Sequence, residues 1–98
     1  MTIENGSSIR PLDLDAVQAF VLVADLSSFT RAAEALDTTQ SAVSLKLKRL
    51  EERLGRRLLE RTPRRVRLSQ EGAAFLDAAR ELLEAHERAL HGRAETRL

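Results

Sequence analysis

The 98-residue sequence contains no cysteine, four glycines and two prolines. Without thiols there is no disulfide and no thiolate metal site, and the composition suits a reducing compartment. No apolar run approaches the roughly 20 residues that cross a bilayer as a helix. The opening "MTIENGSSIRP" has neither an apolar segment nor a cleavage-type ending, so it is not a signal peptide and reads as a flexible leader over residues 1–11. Histidine is scarce as well. His86 and His91 stand five apart, which is not the i, i+4 spacing that places two ligands on one helical face. No glycine-rich loop offers to cradle a phosphate, and Ser44 has no histidine within reach. The expectation is a chain with no catalytic residues, no metal and no cofactor: a binding protein and not an enzyme.

What is present is apolar periodicity and unevenly placed charge. Hydrophobic residues make up 43% and charged residues 32%, the balance of one globular domain with a small core. The formal net charge of +1 hides an asymmetry. Met1 to Leu45 holds two basic and six acidic residues, Lys46 to Arg67 ten basic and three acidic, and Leu68 to Leu98 four basic and six acidic. A block of net +7 between mildly acidic flanks is an electrostatic footprint for an anionic partner.

The few glycines and prolines punctuate the chain. Between Pro11 and Ser27, Leu14, Val17, Phe20, Val21 and Ala24 fall at helical spacing, with Asp13 as N-cap. "DLSS" ends that helix, and a second runs from Phe29 or Thr30 to Leu36. "DTT" ends the second, and Thr39 caps a third that closes near Leu54 with Gly55 at C′. Leu58–Glu60 and Val66–Leu68, separated by "RTPRR", read as a short β-hairpin. Ser69 caps the longest helix, from Gln70 to about Leu90.

Two helices joined by a turn of three or four residues form a helix-turn-helix, whose second helix can enter the DNA major groove. Ala33 is small enough for the two helices to cross closely, and Val43 suits the inner face of the crossing. The front of the third helix offers Thr39, Gln40, Ser41, Ser44 and Leu45 to base edges. Lys46, Lys48 and Arg49 follow as cations for phosphates. Arg61, Arg64 and Arg65 lie in or beside the hairpin turn, where guanidiniums can embrace the backbone or enter the minor groove. Each feature alone has a plain reading, since basic helix faces are commonly just solvated and Thr-Gln-Ser is commonly just a cap. Their occurrence together, in this order, points to a nucleic-acid reader.

From Leu12 to Leu90 the chain resembles the N-terminal DNA-binding domain of LysR-type transcriptional regulators. The resemblance is carried by Val17 to Phe20, by "SFTRAA" at Ser28 to Ala33, and by "QSAVS" at Gln40 to Ser44. It continues in "LEERLG" at Leu50 to Gly55, "RLLER" at Arg57 to Arg61 and "LSQEG" at Leu68 to Gly72. It implies a mainly α, winged helix-turn-helix domain over residues 12–68, a linker and dimerisation helix over 69–92, and a tail over 93–98. It further implies a homodimer on double-stranded promoter DNA, working in the bacterial cytoplasm at the nucleoid. A small-molecule effector would act only through a further C-terminal domain, and the chain reads as the DNA-binding part cut from such a protein. In the family, positions matching Gln40, Ser41, Ser44 and Leu45 face bases. Those matching Ser28, Thr30, Arg31, Lys48, Arg61 and Thr62 meet phosphates or the minor groove. Ser41 stands where proline is frequent, Leu45 where arginine or glutamine is frequent, and Leu59 where phenylalanine is common. Leu45 can offer only an apolar contact, such as one to a thymine methyl.

On the last helix, Phe75, Ala79, Leu82, His86 and Ala89 form one row, and Leu76, Leu83 and Leu90 form another. One row can cover the core, and the other calls for a partner. Phe75, Leu76, Ala79, Leu82, Leu83, His86 and Leu90 are therefore the expected dimer interface. Antiparallel pairing would relate two reading helices by a dyad and select an interrupted inverted repeat, with half-sites about 34 Å apart. The alternative is a helical protein-interaction module whose basic face binds an acidic partner or a membrane surface.

Overall fold

In the computed structural model the described residues are 11–61 and 65–96, with only the backbone described for Arg61 and for residues 92–96. Most of the leader, the turn residues Thr62 and Arg64, and the end of the tail lie outside the described residues. The order is α1 (Leu14–Leu26), α2 (Phe29–Ala35), α3 (Gln40–Leu54), β1 (Leu59–Arg61), β2 (Val66–Leu68) and α4 (Gln70–Thr96). This is the mainly α, winged helix-turn-helix arrangement expected from the sequence.

Local chemistry sets the boundaries. The Asp13 carboxylate accepts from the Asp15 amide at 2.9 Å and starts α1. Ser27, at φ 54°, ends α1 in the left-handed region, and Ser28 Oγ then accepts the Arg31 amide to start α2. Asp37, at φ 57°, turns the chain between α2 and α3, a conformation that aspartate tolerates better than most residues. Thr39 Oγ1 accepts the Ala42 amide at 3.1 Å and starts α3. Gly55 closes α3 at φ 70°, its amide donating to the Glu51 carbonyl at 2.8 Å.

The core gathers around α1. Ala16, Val17, Ala19, Phe20, Val21 and Val23 are buried there, facing Phe29, Ala32 and Ala33 of α2 and Val43, Leu47 and Leu50 of α3. Fully burying one such Val, Leu or Phe side chain contributes about 1.5–3 kcal/mol. The Phe20 and Phe75 rings meet with centroids 5.6 Å apart, which brings the start of α4 onto the same core. The hairpin is antiparallel, pairing Leu59 with Leu68, Glu60 with Arg67 and Arg61 with Val66. Strand β1 therefore begins one residue later than the apolar run suggests. Leu58 precedes it as a buried anchor, 1% exposed.

Helix α4 departs from expectation in two ways. It continues through Gly92 to Thr96, so the residues read as a tail belong largely to the helix. One interior glycine costs a helix about 1 kcal/mol, which the surrounding Ala, Leu, Arg and Glu outweigh. Its apolar residues also divide differently. Ala79 is fully buried in the protomer's own core, and Phe75, Leu76 and Leu83 are half-buried against it. Ala79 is thus sealed away from any partner. The open face comprises Leu82, His86, Ala89 and Leu90, with Leu82 37% and Leu90 63% exposed. Arg80 forks onto Asp25, its nitrogens 2.7 and 3.3 Å from the two carboxylate oxygens, and ties α4 to the end of α1. That hydrogen bond, and then the charge of Asp25, raise the Arg80 guanidinium above its ordinary value.

Two contacts fix the hairpin between α3 and α4. The Glu51 carboxylate accepts from the Leu58 and Leu59 amides, at 2.8 and 3.1 Å. The Leu58 carbonyl accepts from the Ser69 amide at 2.9 Å, and Ser69 Oγ accepts the Gly72 amide to cap α4. A Cβ on Gly72 would lie 1.9 Å from that same Leu58 carbonyl oxygen.

Two expected outcomes follow from this junction. Gly72→Ala, stabilising in an ordinary helix, should here destabilise the domain by about 1–3 kcal/mol through overpacking against backbone. Urea denaturation that found the variant more stable than the parent would refute the close approach. Glu51→Ala should cost about 1–3 kcal/mol by leaving two part-buried amides without an acceptor. Hydrogen exchange should show protection lost first at the Leu58 and Leu59 amides, and undiminished protection there would contradict the assignment.

Candidate nucleic-acid interface

The outer face of α3 carries a continuous stripe. Gln40, Ser41, Ser44, Leu45 and Lys48 line one shallow concavity of about 360 Å³. Their spacing of i, i+1, i+4, i+5 and i+8 keeps them on one side of the helix, opposite the buried Val43, Leu47 and Leu50. Gln40, Ser41 and Lys48 are exposed, and Ser44 is half-buried. Leu45 is 47% exposed, a large apolar side chain set among hydrogen-bonding groups. Thr39 stands at the head of the stripe, its hydroxyl oxygen occupied as the N-cap.

The cations are distributed around this stripe. On one side, Arg49 and Arg53 line a cleft of about 510 Å³ between α3 and the start of α1, with Pro11, Leu12 and Ala16 on its floor. Arg53 was not singled out in the sequence. It lies four residues after Arg49, and that spacing was the available signal. At the C-terminal end of α3, Lys48 of the stripe, Arg56 and Arg57 border a depression shared with Glu51 and Glu52. Lys46 is half-buried at the flank of the stripe, where it borders both the cleft that holds Arg49 and Arg53 and a crevice lined by Asp15, Gln18, Leu36 and Thr38.

The α2 residues expected near phosphates take more specific places. Ser28 Oγ caps α2 by accepting from the Arg31 amide at 3.0 Å. The Arg31 side chain is exposed. The Thr30 hydroxyl donates to Gln40 Oε1 at 3.3 Å, linking the first turns of α2 and α3. In the hairpin, Arg65 and Arg67 are exposed. Arg61, Thr62 and Arg64 have no described side chains. The Arg56–Glu71 pair, at 3.6 Å between exposed side chains, adds little stability. Glu51 and Ser69, which anchor the hairpin, carry no local sequence signal of that role because both reach across a change of element.

No helix among the described residues is long and apolar enough to cross a membrane. His86 and His91 lie exposed on the distal part of α4, with His91 Nε2 3.7 Å from Glu87.

Comparison with known proteins agrees with this geometry. The family model described as "Bacterial regulatory helix-turn-helix protein, lysR family" matches residues 14–73. The transcriptional regulator PecT of Dickeya dadantii is 45% identical over 78 residues, covering 80% of this chain and 25% of PecT. The transcriptional regulator CrgA of Neisseria meningitidis is 46% identical over 70 residues, covering 71% of this chain and 23% of CrgA. The chain thus spans about a quarter of the length of these curated relatives. Among solved structures, the BenM DBD in complex with catB site 1 DNA superposes with a TM-score of 0.79 at 35% identity, over 85% of this chain and 92% of that one. Full-length CbnR complexed with its target DNA gives 0.79 at 32% identity, over 85% of this chain and 28% of that one. With its helix-turn-helix, its hairpin and 60 consecutive residues matching the family model, the chain belongs to the LysR family of bacterial regulatory helix-turn-helix proteins.

Proposed function

We propose that this chain reads double-stranded DNA for a LysR-type transcriptional regulator. The outer face of α3 enters the major groove, and two copies joined through α4 read an inverted repeat at a promoter in the bacterial cytoplasm. The observation that carries this reading is the α3 stripe of Gln40, Ser41, Ser44, Leu45 and Lys48, with Arg49 and Arg53 along one flank and Arg56 and Arg57 at its C-terminal end. Short hydrogen-bonding groups suit base edges, and the flanking guanidinium and ammonium groups suit phosphates. The likeness to a DNA-bound domain at 35% identity supports the same orientation. Leu45 then contributes apolar contact, with a thymine methyl as its natural complement. Arg31, Arg49, Arg65 and Arg67 grip backbone. Regulation by a small molecule belongs to an effector domain outside this chain.

Dimerisation is supported by the distal half of α4. Beyond Leu83 that helix leaves the core, and an unsupported helix of roughly 12–15 residues is marginal in water. Leu82, Ala89 and Leu90 give it an apolar face for a second copy. Leu82→Asp should therefore lower dimer content and operator affinity together, with helical signal lost only from the part of α4 beyond Leu83. Sedimentation and binding unchanged from the parent would remove α4 as the dimer element.

The central test is fluorescence anisotropy across a salt series, comparing a site selected from random duplexes with a scrambled duplex. The expected result is a preference of about 10³-fold or more for an interrupted inverted repeat. Equal, salt-sensitive binding to both would leave only a polycation, and with it the reading as a module for acidic partners or surfaces.

A further inference from the structure

We propose that Thr30 is a positioning residue for base recognition, its hydroxyl setting the orientation of the Gln40 side-chain amide. The inference rests on the reading that Gln40 faces a base, and it deepens that reading. Thr30 lies in the first turn of α2, and Gln40 is the first residue of α3. Ten residues apart in sequence, they meet because the Asp37 turn sets the two helix N-termini side by side. There Thr30 Oγ1 donates to Gln40 Oε1 at 3.3 Å. Both side chains are exposed, so packing does not force the contact. Two neighbouring hydroxyl oxygens are already engaged as caps, Ser28 Oγ by the Arg31 amide and Thr39 Oγ1 by the Ala42 amide. Thr30 has no capping duty, and its hydrogen is directed across to the reading helix.

The chemistry of the amide makes this consequential. A glutamine side chain ends in an acceptor oxygen on one side and a two-hydrogen donor on the other, and half a turn about its last torsion exchanges them. A bidentate contact to adenine needs the oxygen opposite N6 and the nitrogen opposite N7. With Thr30 donating to Oε1, the oxygen edge lies on the α2 side. One of its lone pairs remains for a base donor, and Nε2 keeps both hydrogens for a base acceptor. An amide oriented before the DNA arrives loses less rotamer freedom on binding. At 3.3 Å the bond is long for a hydroxyl donor, so it biases the torsion without locking it. The expected scale is that of one ordinary hydrogen bond, about 2- to 10-fold in discrimination.

The test uses the whole chain and the selected operator, with each base pair of the half-site replaced in turn. Thr30→Val keeps the shape and removes the hydroxyl, Thr30→Ser restores it, and Gln40→Ala removes the amide. Anisotropy is read at several salt concentrations, and circular dichroism melting confirms that each variant folds. Thr30→Val should reduce discrimination at the base pair that Gln40 reads by about 2- to 10-fold, with the salt slope unchanged. Thr30→Ser should retain it, and Thr30→Val should add nothing in the Gln40→Ala background. The proposal is overturned if Thr30→Val weakens all duplexes equally with discrimination among base pairs unchanged, since Thr30 would then be a neutral backbone contact. It is equally overturned if Thr30→Val leaves discrimination at the parental level. A Gln40→Ala variant that keeps full discrimination at every base pair removes the base-facing reading itself and the proposal with it, a failure distinct from the first two.

Discussion

The peptide unit of Leu58 joins the three parts of the domain that a partner would meet. Its amide donates to the Glu51 carboxylate of α3, as does the Leu59 amide, and its carbonyl accepts from Ser69 at the start of α4. Its side chain is 1% exposed, and its carbonyl oxygen allows only a glycine at position 72. One carboxylate accepting both amides satisfies two backbone donors at the point where helix gives way to strand. The end of α3, the base of the hairpin and the start of α4 are therefore held by one short segment of backbone. Any change that shifts Leu58 shifts all three, so the relative placement of α3 and the hairpin is a property of the fold and not of their own flexibility.

The second constraint is how α4 divides its surface. Its first half gives Phe75, Leu76, Ala79 and Leu83 to the core around Phe20, and Arg80 to Asp25. Its second half presents Leu82, Ala89 and Leu90 to solvent. The Leu58 junction fixes where α4 begins, and the Phe20–Phe75 contact fixes how it leaves the domain. A partner bound along the open half would thus be held in defined register with α3. In the proposed dimer, that connection would set the spacing between the two copies of α3.

Much of this was legible in the sequence where the cause is local. Asp13, Thr39 and Ser69 act as caps as their positions before apolar runs imply, and Gly55 takes the left-handed φ that ends α3. The α3 stripe follows from helical periodicity alone. The half-buried setting of Lys46 was legible on the same grounds, because it is three residues after Val43 and four before Leu50, on the flank of the buried face. Ala79 and the continuation of α4 past Gly92 depend on which neighbours exist across the core and along a long helix. The roles of Glu51 and Gly72 depend on contacts that cross from helix to strand. No spacing rule reports these, since the deciding atoms lie seven residues away for Glu51 and fourteen for Gly72.

The charge pattern gains meaning once these placements are known. The block of net +7 is not a uniform surface. Arg49 and Arg53 line the α1 cleft, Lys48 lies within the stripe, and Arg56 and Arg57 follow at the C-terminal end of α3. Glu51, an acid within the block, is turned to the Leu58 and Leu59 amides and serves the junction. Cations on one side only would attract a polyanion yet leave the helix free to roll about its axis. Cations on the α1 flank, within the stripe and at the C-terminal end of α3 restrain that rotation, and the stripe is then presented at a fixed angle. Such a stripe can consist of small groups, Ser41, Ser44 and one oriented amide, because orientation is already supplied by these cations. The apolar Leu45 fits the same logic, since a side chain with no hydrogen bond to direct it can discriminate only if the surface around it is held in place.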